Sequence, residues 1–198
     1  MKIVLPDPEG IQQASDALRA GEIVAYPTET VYGLGVDPHN PRALERLFDA
    51  KGRAERHPVL LIVDDIAQLK RVADSIPPRA AELMARFWPG PLSLLLPAVP
   101  GLSEMLLGPD GRICVRCPAC DTARALCQAF GGPLTSTSAN RSGDPPAHSV
   151  AELGLPGVAL AIDGGILPPS LPSTVYDPET GEVLREGAIS GEDLRGVE

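Results

Sequence analysis

The sequence predicts an α/β fold, in which a twisted, mostly open sheet of parallel and antiparallel strands carries flanking helices. Short apolar runs, which suit buried strands, alternate along the chain with segments that have the periodicity of amphipathic helices. The last two apolar runs flank a turn at residues 179–181, which predicts a terminal hairpin. With 198 residues, the chain is long enough to bury the core of one such domain.

Helical periodicity occurs in five segments. The first ends just before Gly21, a residue type that often adopts the left-handed conformation after a helix. The second begins with Asn40 as a capping residue and Pro41 in its first turn, and Gly52 ends it. We expect helices at residues 10–20, 41–51, 64–72, 77–87 and 121–130.

Apolar runs predict the strands between these helices. The run at 58–63 is continuously aliphatic, which suits a strand that is covered on both faces. Residues 99–111 contain several glycines and are interpreted as an irregular flap. We expect strands at 23–26, 58–63, 92–96, 113–117, 158–162, 173–177 and 183–185, and another that begins at 134.

Hydropathy and charge limit the classes of function. No apolar run approaches the roughly 20 residues that span a bilayer, and the N-terminus lacks the apolar core of a signal peptide. We therefore expect a cytoplasmic protein. The net charge of −9 argues against a surface built to hold a nucleic-acid backbone, because such binding depends on neutralising many phosphates.

The four cysteines raise the question of a metal site, since Cys114, Cys117 and Cys120 have Cys-x-x-Cys-x-x-Cys spacing and Cys127 follows. No histidine lies nearby to complete a zinc site, and an iron–sulfur pattern would place its fourth cysteine closer and before a proline. We expect reduced, partly buried thiols and neither zinc nor an iron–sulfur cluster.

Polar and cationic side chains collect in loops that follow strands. In the stretch 26–35, Pro27 ends a strand, Thr28 and Thr30 follow it, and Gly33 and Gly35 are expected to free the backbone. Ligands of open α/β sheets bind beyond the carboxyl ends of strands, so these loops predict a pocket. Cations combined with hydroxyls suit a small anion-rich ligand, such as a nucleotide with an amino acid. The candidate residues are Thr28, Thr30, Tyr32, Lys51, Arg53, Arg116, Ser136, Ser138, Asn140, Ser173, Thr174 and Arg185.

Seven of these candidates also have a purely structural interpretation, which the residues alone leave open. Lys51 and Arg53 would complement the C-terminal dipole of a helix. Arg116 would be a cation on an edge strand, and Arg185 would pair with a glutamate on the hairpin. Hydroxyls and amides in loops often satisfy nearby backbone groups in turns, which applies to Ser136, Ser138 and Asn140. The sequence has no Walker loop and no third glycine after the pair at 33 and 35.

Seven motifs, in chain order, resemble those of the YrdC-type threonylcarbamoyl-AMP synthases, and the resemblance runs from about residue 10 to 190. They are Tyr-Pro-Thr-Glu-Thr-Val-Tyr-Gly-Leu-Gly (26–35), Lys-Gly-Arg (51–53), Pro-Gly-Pro-Leu-Ser (89–93), Val-Arg-Cys-Pro (115–118), Thr-Ser-Ala-Asn-Arg-Ser-Gly (137–143), Pro-Ser-Thr-Val-Tyr-Asp (172–177) and Arg-Glu-Gly-Ala-Ile-Ser (185–190).

The resemblance implies a YrdC-like sheet with a concave ligand-binding face, as a single domain over 1–198 without the C-terminal domain of longer members. It implies an enzyme that condenses L-threonine, bicarbonate and ATP into threonylcarbamoyl-AMP and pyrophosphate, for the threonylcarbamoyl modification of tRNA adenosine. Magnesium is expected on the ATP phosphates. A downstream tRNA threonylcarbamoyl transferase complex is the expected partner, with weak or no direct binding of tRNA.

The resemblance also distributes the candidate residues between two substrates. Lys51 and Arg53 are expected to be catalytic. The threonine side comprises Thr28, Thr30, Tyr32, Arg116 and Ser136. The nucleotide side comprises Lys51, Arg53, His57, Ser138, Asn140, Ser173, Thr174 and Arg185. His148, like His57, is expected at the mouth of the site.

One departure from the family pattern concerns threonine. Family members often carry a histidine on the strand after Lys-Gly-Arg that helps to hold threonine, whereas residues 59–63 are aliphatic here, with Ile62 or a neighbour in that place. The assignment of threonine as the amino substrate therefore depends more on the resemblance than that of ATP does. Two alternatives to the whole assignment also stay open: a related enzyme that forms a carbamoyl-adenylate from carbamoyl phosphate, and a non-catalytic RNA-binding module.

Overall fold

A computed structural model describes residues 1–52 and 59–197. Its helices are α1 (Pro8–Arg19), α2 (Pro41–Lys51), α3 (Ile66–Leu69), α4 (Pro78–Phe87), α5 (Asp121–Phe130) and α6 (Gly191–Arg195). Its strands are β1 (Lys2–Val4), β2 (Ile23–Tyr26), β3 (Gly33–Gly35), β4 (Leu61–Ile62), β5 (Leu92–Pro97), β6 (Arg112–Arg116), β7 (Leu134–Thr135), β8 (Thr137–Ser138), β9 (Val158–Ile162), β10 (Thr174–Asp177) and β11 (Glu182–Arg185).

The predicted helices are confirmed, with differences at their ends that follow from capping. In α2, Asn40 Oδ1 accepts a hydrogen bond from Ala43 N, and Gly52 has the left-handed conformation that ends the helix. Helix α1 begins two residues earlier than expected, because Asp7 Oδ1 accepts from Gly10 N. Helix α3 is shorter than the expected 64–72, since Asp65 caps it from outside. The C-terminal helix α6 was not predicted.

The α/β fold class is confirmed, but the strands form two mixed sheets rather than one. The first sheet has the order β1-β9-β2-β3-β8, and the second has the order β11-β10-β5-β6-β4-β7. In the first, β1, β9 and β2 run parallel, while β3 and β8 are antiparallel to their neighbours. The predicted terminal hairpin is present as β10 and β11.

The two sheets are tied together by consecutive strands. Strand β7 pairs with β4 in the second sheet, and one residue later β8 pairs with β3 in the first. A hydrogen bond from Thr135 N to Val36 O adds to this junction. The chain segments that meet here are those in which the sequence analysis found its polar loops.

Apolar residues fill two clusters around the sheets. The larger includes residues of α2, α4 and both sheets, among them Leu34, Leu44, Leu83 and Leu94. The smaller lies where α1 and α5 pack together against the first sheet. The predicted flap at 99–111 contains a 3₁₀ turn, Glu104–Leu106, and the fully buried Leu106 anchors it in the larger cluster.

Within the described ranges, no helix is long and apolar enough to cross a membrane.

Candidate active site

A cavity of about 330 Å³ lies where the two sheets meet. This volume is in the range of small-molecule sites. Its charged lining residues are Arg116 and Arg185, and no carboxylate side chain is among the described residues that line it. The lining residues are Thr28, Thr30, Val31, Gly33, Leu60, Arg116, Ser136, Thr137, Ser138, Pro146, His148, Ser170, Pro172, Ser173 and Arg185.

The stretch 26–35 belongs to a β-hairpin, in which residues 27–32 connect β2 to β3. Strands β2 and β3 are antiparallel, with Tyr26 opposite Gly33. A Cβ on Gly35 would lie 2.7 Å from Cε1 of Tyr26, and one on Gly33 would lie 3.0 Å from Ser136 Oγ. The expectation that these glycines free the backbone is therefore wrong: they make room for the Tyr26 ring and for the Ser136 side chain. Tyr26 itself is fully buried, and its hydroxyl donates to Thr135 O.

Two threonines lie in the loop of this hairpin: Thr28 holds the loop together, and Thr30 keeps an oxygen for a ligand. The Thr28 hydroxyl donates to Val31 O at 2.7 Å and accepts from the backbone N–H groups of Thr30 and Val31. The hydroxyls of Thr28 and Thr30 lie 3.0 Å apart, and either of them can be the donor. In both cases the Thr30 oxygen keeps at least one acceptor lone pair at the cavity wall.

Arg116 ends β6 at the floor of the same cavity and is only 2% exposed. Its Nη1 lies 3.4 Å from Glu29 Oε1. This ion pair joins β6 of the second sheet to the loop between β2 and β3 of the first. Neither Nη1 and Nε of Arg116 nor the two carboxylate oxygens of Glu29 have a hydrogen-bond partner. Buried polar atoms are normally hydrogen-bonded, so this unsatisfied pair is a candidate for contact with a ligand.

Arg185 lines the cavity from the terminal hairpin, and it is held differently. Its Nε and Nη2 donate to Ser173 O at 3.1 and 2.8 Å, and Nη2 also donates to Ser173 Oγ at 2.9 Å. Ser173 Oγ is in turn 2.8 Å from Ser93 Oγ. The predicted pairing of Arg185 with a hairpin glutamate is not among the ion pairs of the described residues. The serine fixes the guanidinium, whose Nη1 lies outside these bonds.

Lys51 stands behind the Ser138–Asn140 loop rather than in the cavity wall. Its side chain is almost fully buried, and Nζ donates to Ser138 O at 2.5 Å and to Asn140 O at 2.9 Å. Within the same loop, Asn140 Nδ2 donates a hydrogen bond to Asp144 O. Lys51 thus connects the end of α2 to the loop that carries Ser138 into the cavity.

The structure brings together seven of the predicted site residues as lining of one cavity: Thr28, Thr30, Arg116, Ser136, Ser138, Ser173 and Arg185. Lys51 and Asn140 are not among its lining residues, and Lys51 is connected to the cavity through the backbone of Ser138. Tyr32 lies in the core, where its hydroxyl donates to Gly165 O and accepts from Gly164 N. Thr174 is fully buried, and its hydroxyl donates to Ile189 O and accepts from Ile189 N. Arg53 and His57 lie outside the described residues.

The cavity residues to which the sequence analysis assigned no substrate include His148, Ser170 and Leu60. His148, expected only near the mouth, lines the cavity, and its Nδ1 is buried without a partner. Ser170 also lines it and donates to Thr30 O at 2.9 Å, which joins the proline-rich loop to the hairpin tip. Leu60 lines the cavity, whereas Ile62, the expected substitute for a family histidine, is fully buried in the smaller core cluster.

A second cavity of about 560 Å³ adjoins the first and shares Leu60 and Arg185 with it. Arg112 lines this second cavity and donates to Asp177 Oδ1 at 2.7 Å. Cys114 lies in the same wall, and burial raises the pKa of its thiol to about 11, so that it stays neutral at pH 7. Together the two cavities form a groove with Arg185 at its middle.

The four cysteines are free thiols distributed over different environments. Cys114 faces the second cavity, whereas Cys117 Sγ contacts Asp64 O and Cys120 Sγ contacts Pro27 O. Cys127 is fully buried in the smaller core cluster. Within the described part of the chain, no three His, Cys, Asp or Glu side chains form a group that could hold a metal ion.

Comparisons with known proteins agree with this geometry. A family model for the Sua5, YciO and YrdC proteins, described as "Telomere recombination", matches residues 16–187. The threonylcarbamoyl-AMP synthase of Alkalilimnicola ehrlichii is 40% identical over 181 residues, covering 88% of this chain and 94% of that protein. The threonylcarbamoyl-AMP synthase of Halorhodospira halophila is 45% identical over 146 residues, covering 74% and 76% respectively.

Among solved structures, Sua5 from Pyrococcus abyssi complexed with L-threonine superposes with a TM-score of 0.90 at 34% identity. It covers 99% of this chain, and this chain spans 59% of the length of that one. YciO from Escherichia coli superposes with a TM-score of 0.83 at 27% identity and covers 98% of both chains.

Proposed function

This chain belongs to the Sua5, YciO and YrdC family, and on that premise we propose that it is a threonylcarbamoyl-AMP synthase, an enzyme of the nucleotidyltransferase type. It condenses L-threonine, bicarbonate and ATP to threonylcarbamoyl-AMP, pyrophosphate and water. One observation carries the assignment of its site: two arginines with different partners face one hydroxyl-lined cavity, which suits an amino acid at one end and phosphates at the other.

The threonine end of the site is the enclosed part around Arg116. A guanidinium with unused donors suits the substrate carboxylate, which accepts two parallel hydrogen bonds. The Thr30 oxygen, which keeps an acceptor lone pair whichever of the two hydroxyls donates, suits the substrate N–H or hydroxyl. Leu60 offers an apolar wall, and no histidine at residues 59–63 is required for these contacts.

The nucleotide end is the groove that begins at Arg185. Because Arg185 lies between the two cavities, phosphates held there leave the larger second cavity for the ribose and base. The hydroxyls of Ser138 and Ser173 supply fixed hydrogen bonds beside the cation. Lys51 orders the loop of Ser138 through its bonds to the Ser138 and Asn140 carbonyl groups, and Arg53, His57 and Asn140 complete the proposed nucleotide side.

The chemistry requires two anions to approach each other. Bicarbonate and the threonine amine give a carbamate with loss of water, and a carbamate oxygen then attacks the α-phosphorus of ATP while pyrophosphate leaves. Cations offset the repulsion, and the fixed hydroxyls hold the reactants in line. ATP enters as its magnesium complex, in which the phosphates carry the ion as part of the substrate.

Location and partners follow from this assignment. We place the enzyme in the cytoplasm, where its four thiols stay reduced and where tRNA is modified. Its product goes to a downstream transferase complex that acts on tRNA. With a net charge of −9, the enzyme itself binds tRNA weakly or not at all.

The test is to incubate the protein with ATP, magnesium and bicarbonate and with each amino acid in turn, and to detect pyrophosphate and the adenylate by mass spectrometry. Threonine-dependent formation of both is expected. The variants Lys51→Ala and Arg53→Ala should lower turnover at least about tenfold while the fold stays intact. Arg42→Ala, which removes an exposed arginine of α2, is the matched control.

Two results would replace this proposal. Adenylate formation only with carbamoyl phosphate would assign the chain to the carbamoyl-adenylate formers. Tight, steeply salt-dependent RNA binding in a filter assay, with no pyrophosphate release from any amino acid, would make it an RNA-binding module.

A further inference from the structure

The two arginines of the cavity differ in charge balance. Arg116 lies 3.4 Å from the Glu29 carboxylate, so the pair has no net charge. In the described part of the chain, Arg185 is hydrogen-bonded to Ser173 and takes part in no ion pair. One end of the cavity is therefore nearly neutral, and the other end is cationic.

The Glu29–Arg116 pair is incompletely satisfied on both sides. Nε and Nη1 of Arg116 and both oxygens of Glu29 are buried without hydrogen-bond partners. A buried pair of this kind is stable only when further hydrogen bonds satisfy it, so a purely structural pair would be better bonded. The Asp177–Arg112 pair is an example of a well-bonded pair, since the Asp177 carboxylate also accepts hydrogen bonds from the backbone N–H groups of Glu179 and Thr180.

Glu29 does not line the cavity, whereas Arg116 does. The carboxylate therefore acts on the guanidinium from the side turned away from the ligand. It contacts Nη1, so Nη2 and Nε of the guanidinium are not taken up by the pair. Glu29 is well placed to fix the orientation of Arg116 and to offset its charge, without touching a substrate itself.

We propose that Glu29 is a positioning and selectivity residue: it makes the Arg116 end of the cavity specific for a zwitterion and keeps phosphate groups at the Arg185 end. An amino acid adds a carboxylate and an ammonium group, so it leaves the neutral end neutral. A phosphate would add uncompensated negative charge beside the Glu29 carboxylate, and this repulsion excludes it. The inference rests on the proposed function only for the identity of the zwitterion, L-threonine.

The experiment compares the wild-type protein with Glu29→Gln, Glu29→Asp and Glu45→Gln, the last being a control at an exposed glutamate of α2. Isothermal titration calorimetry measures the affinity for L-threonine without ATP, and then the ability of inorganic phosphate to compete with it. In Glu29→Gln, we expect threonine to bind at least about tenfold more weakly and phosphate to compete at least about fivefold better. Glu29→Asp, which retains the charge, should stay within about threefold of the wild type for both ligands.

A merely structural role gives a different pattern. Unchanged threonine affinity in Glu29→Gln, or equal weakening of threonine, ATP and phosphate together with a lower melting temperature, would overturn the proposal. So would a wild-type protein that binds phosphate as well as threonine at the same site. The proposed function is assessed separately, by threonine-dependent pyrophosphate release from the wild type, so its failure is distinguishable from that of the Glu29 assignment.

Discussion

The threonine end and the nucleotide end of the groove present arginine in two different ways. Arg116 is 2% exposed, on a strand between other strands, and its partner is a carboxylate. Arg185 is exposed, on the terminal β11, and its partner is a serine. The first cation is enclosed and charge-balanced, and the second is open and carries its full charge.

This difference matches the ligands that the two ends are proposed to take. A small zwitterion gains from an enclosed site, because hydrogen bonds and charges act more strongly where water is excluded. A nucleotide is larger and polyanionic, so it needs an open groove and an uncompensated cation. Substitutions at the two arginines should therefore affect different substrates, and their effects should differ in size.

The largest effect is expected from Arg116→Ala. It removes a two-pronged, charge-assisted contact worth about 3 kcal/mol, so kcat/KM for threonine should fall about 100-fold. The KM for ATP should change by less than about threefold, because Arg185 remains. Steady-state kinetics with each substrate varied in turn measures both values.

Two further measurements separate loss of the threonine contact from loss of the fold in Arg116→Ala. Since the substitution leaves Glu29 buried without its cation, circular dichroism must show that the protein is folded. Arg116→Lys keeps the charge and loses the planar fork, so it should retain the fold and recover only part of the threonine activity. Equal loss for both substrates in a folded Arg116→Ala protein would contradict the division of the groove.

A smaller effect, which falls on ATP rather than on threonine, is expected from Arg185→Ala. The KM for ATP should rise about tenfold, as for loss of one exposed charged contact, while the KM for threonine stays within about twofold. The exposure of the guanidinium limits the size of this effect. The same kinetic assay tests it, with Arg42→Ala as the control, and a change confined to threonine would show that the two ends had been assigned the wrong way round.

Of the two members of the Glu29–Arg116 ion pair, the sequence predicted the arginine as a site residue but not the glutamate. Arg116 was recognisable because a charge interrupts an apolar strand, and such a charge needs a reason. Glu29 was passed over because a carboxylate in a polar loop has no such contrast, and its pairing with a residue 87 positions away along the sequence depends on how β2 and β6 are brought together.

Hydroxyls in the same motifs were predicted less reliably. Tyr32 and Thr174 lie in sequence beside true cavity residues, but alternate residues of a strand or hairpin face opposite sides, so both turn into the core. Strand β3 was interpreted as a loop because its two glycines resemble a flexible stretch. Only the position of the Tyr26 ring shows that they are there for close packing.

The smallest expected effect concerns the third arginine of the groove and tests what a fully bonded ion pair does. The Asp177 side chain is 3% exposed, and although burial alone would raise its pKa, hydrogen bonds from Arg112 and from backbone N–H groups lower the pKa to about 2. A carboxylate whose pKa is lowered by folding stabilises the protein above its ordinary pKa of 3.8, and this stabilisation is lost as the pH falls towards about 2.

Asp177→Asn should therefore lower the free energy of unfolding by about 1–3 kcal/mol at pH 7, and the difference from the wild type should shrink between about pH 4 and pH 2. Urea unfolding at several pH values measures it. Glu29→Gln, whose pair is poorly bonded in the free protein, should lower stability by less than Asp177→Asn does. A larger stability loss at Glu29 would mean that its pair, too, serves the fold, and the contrast between the two ends would then lie in packing rather than in charge.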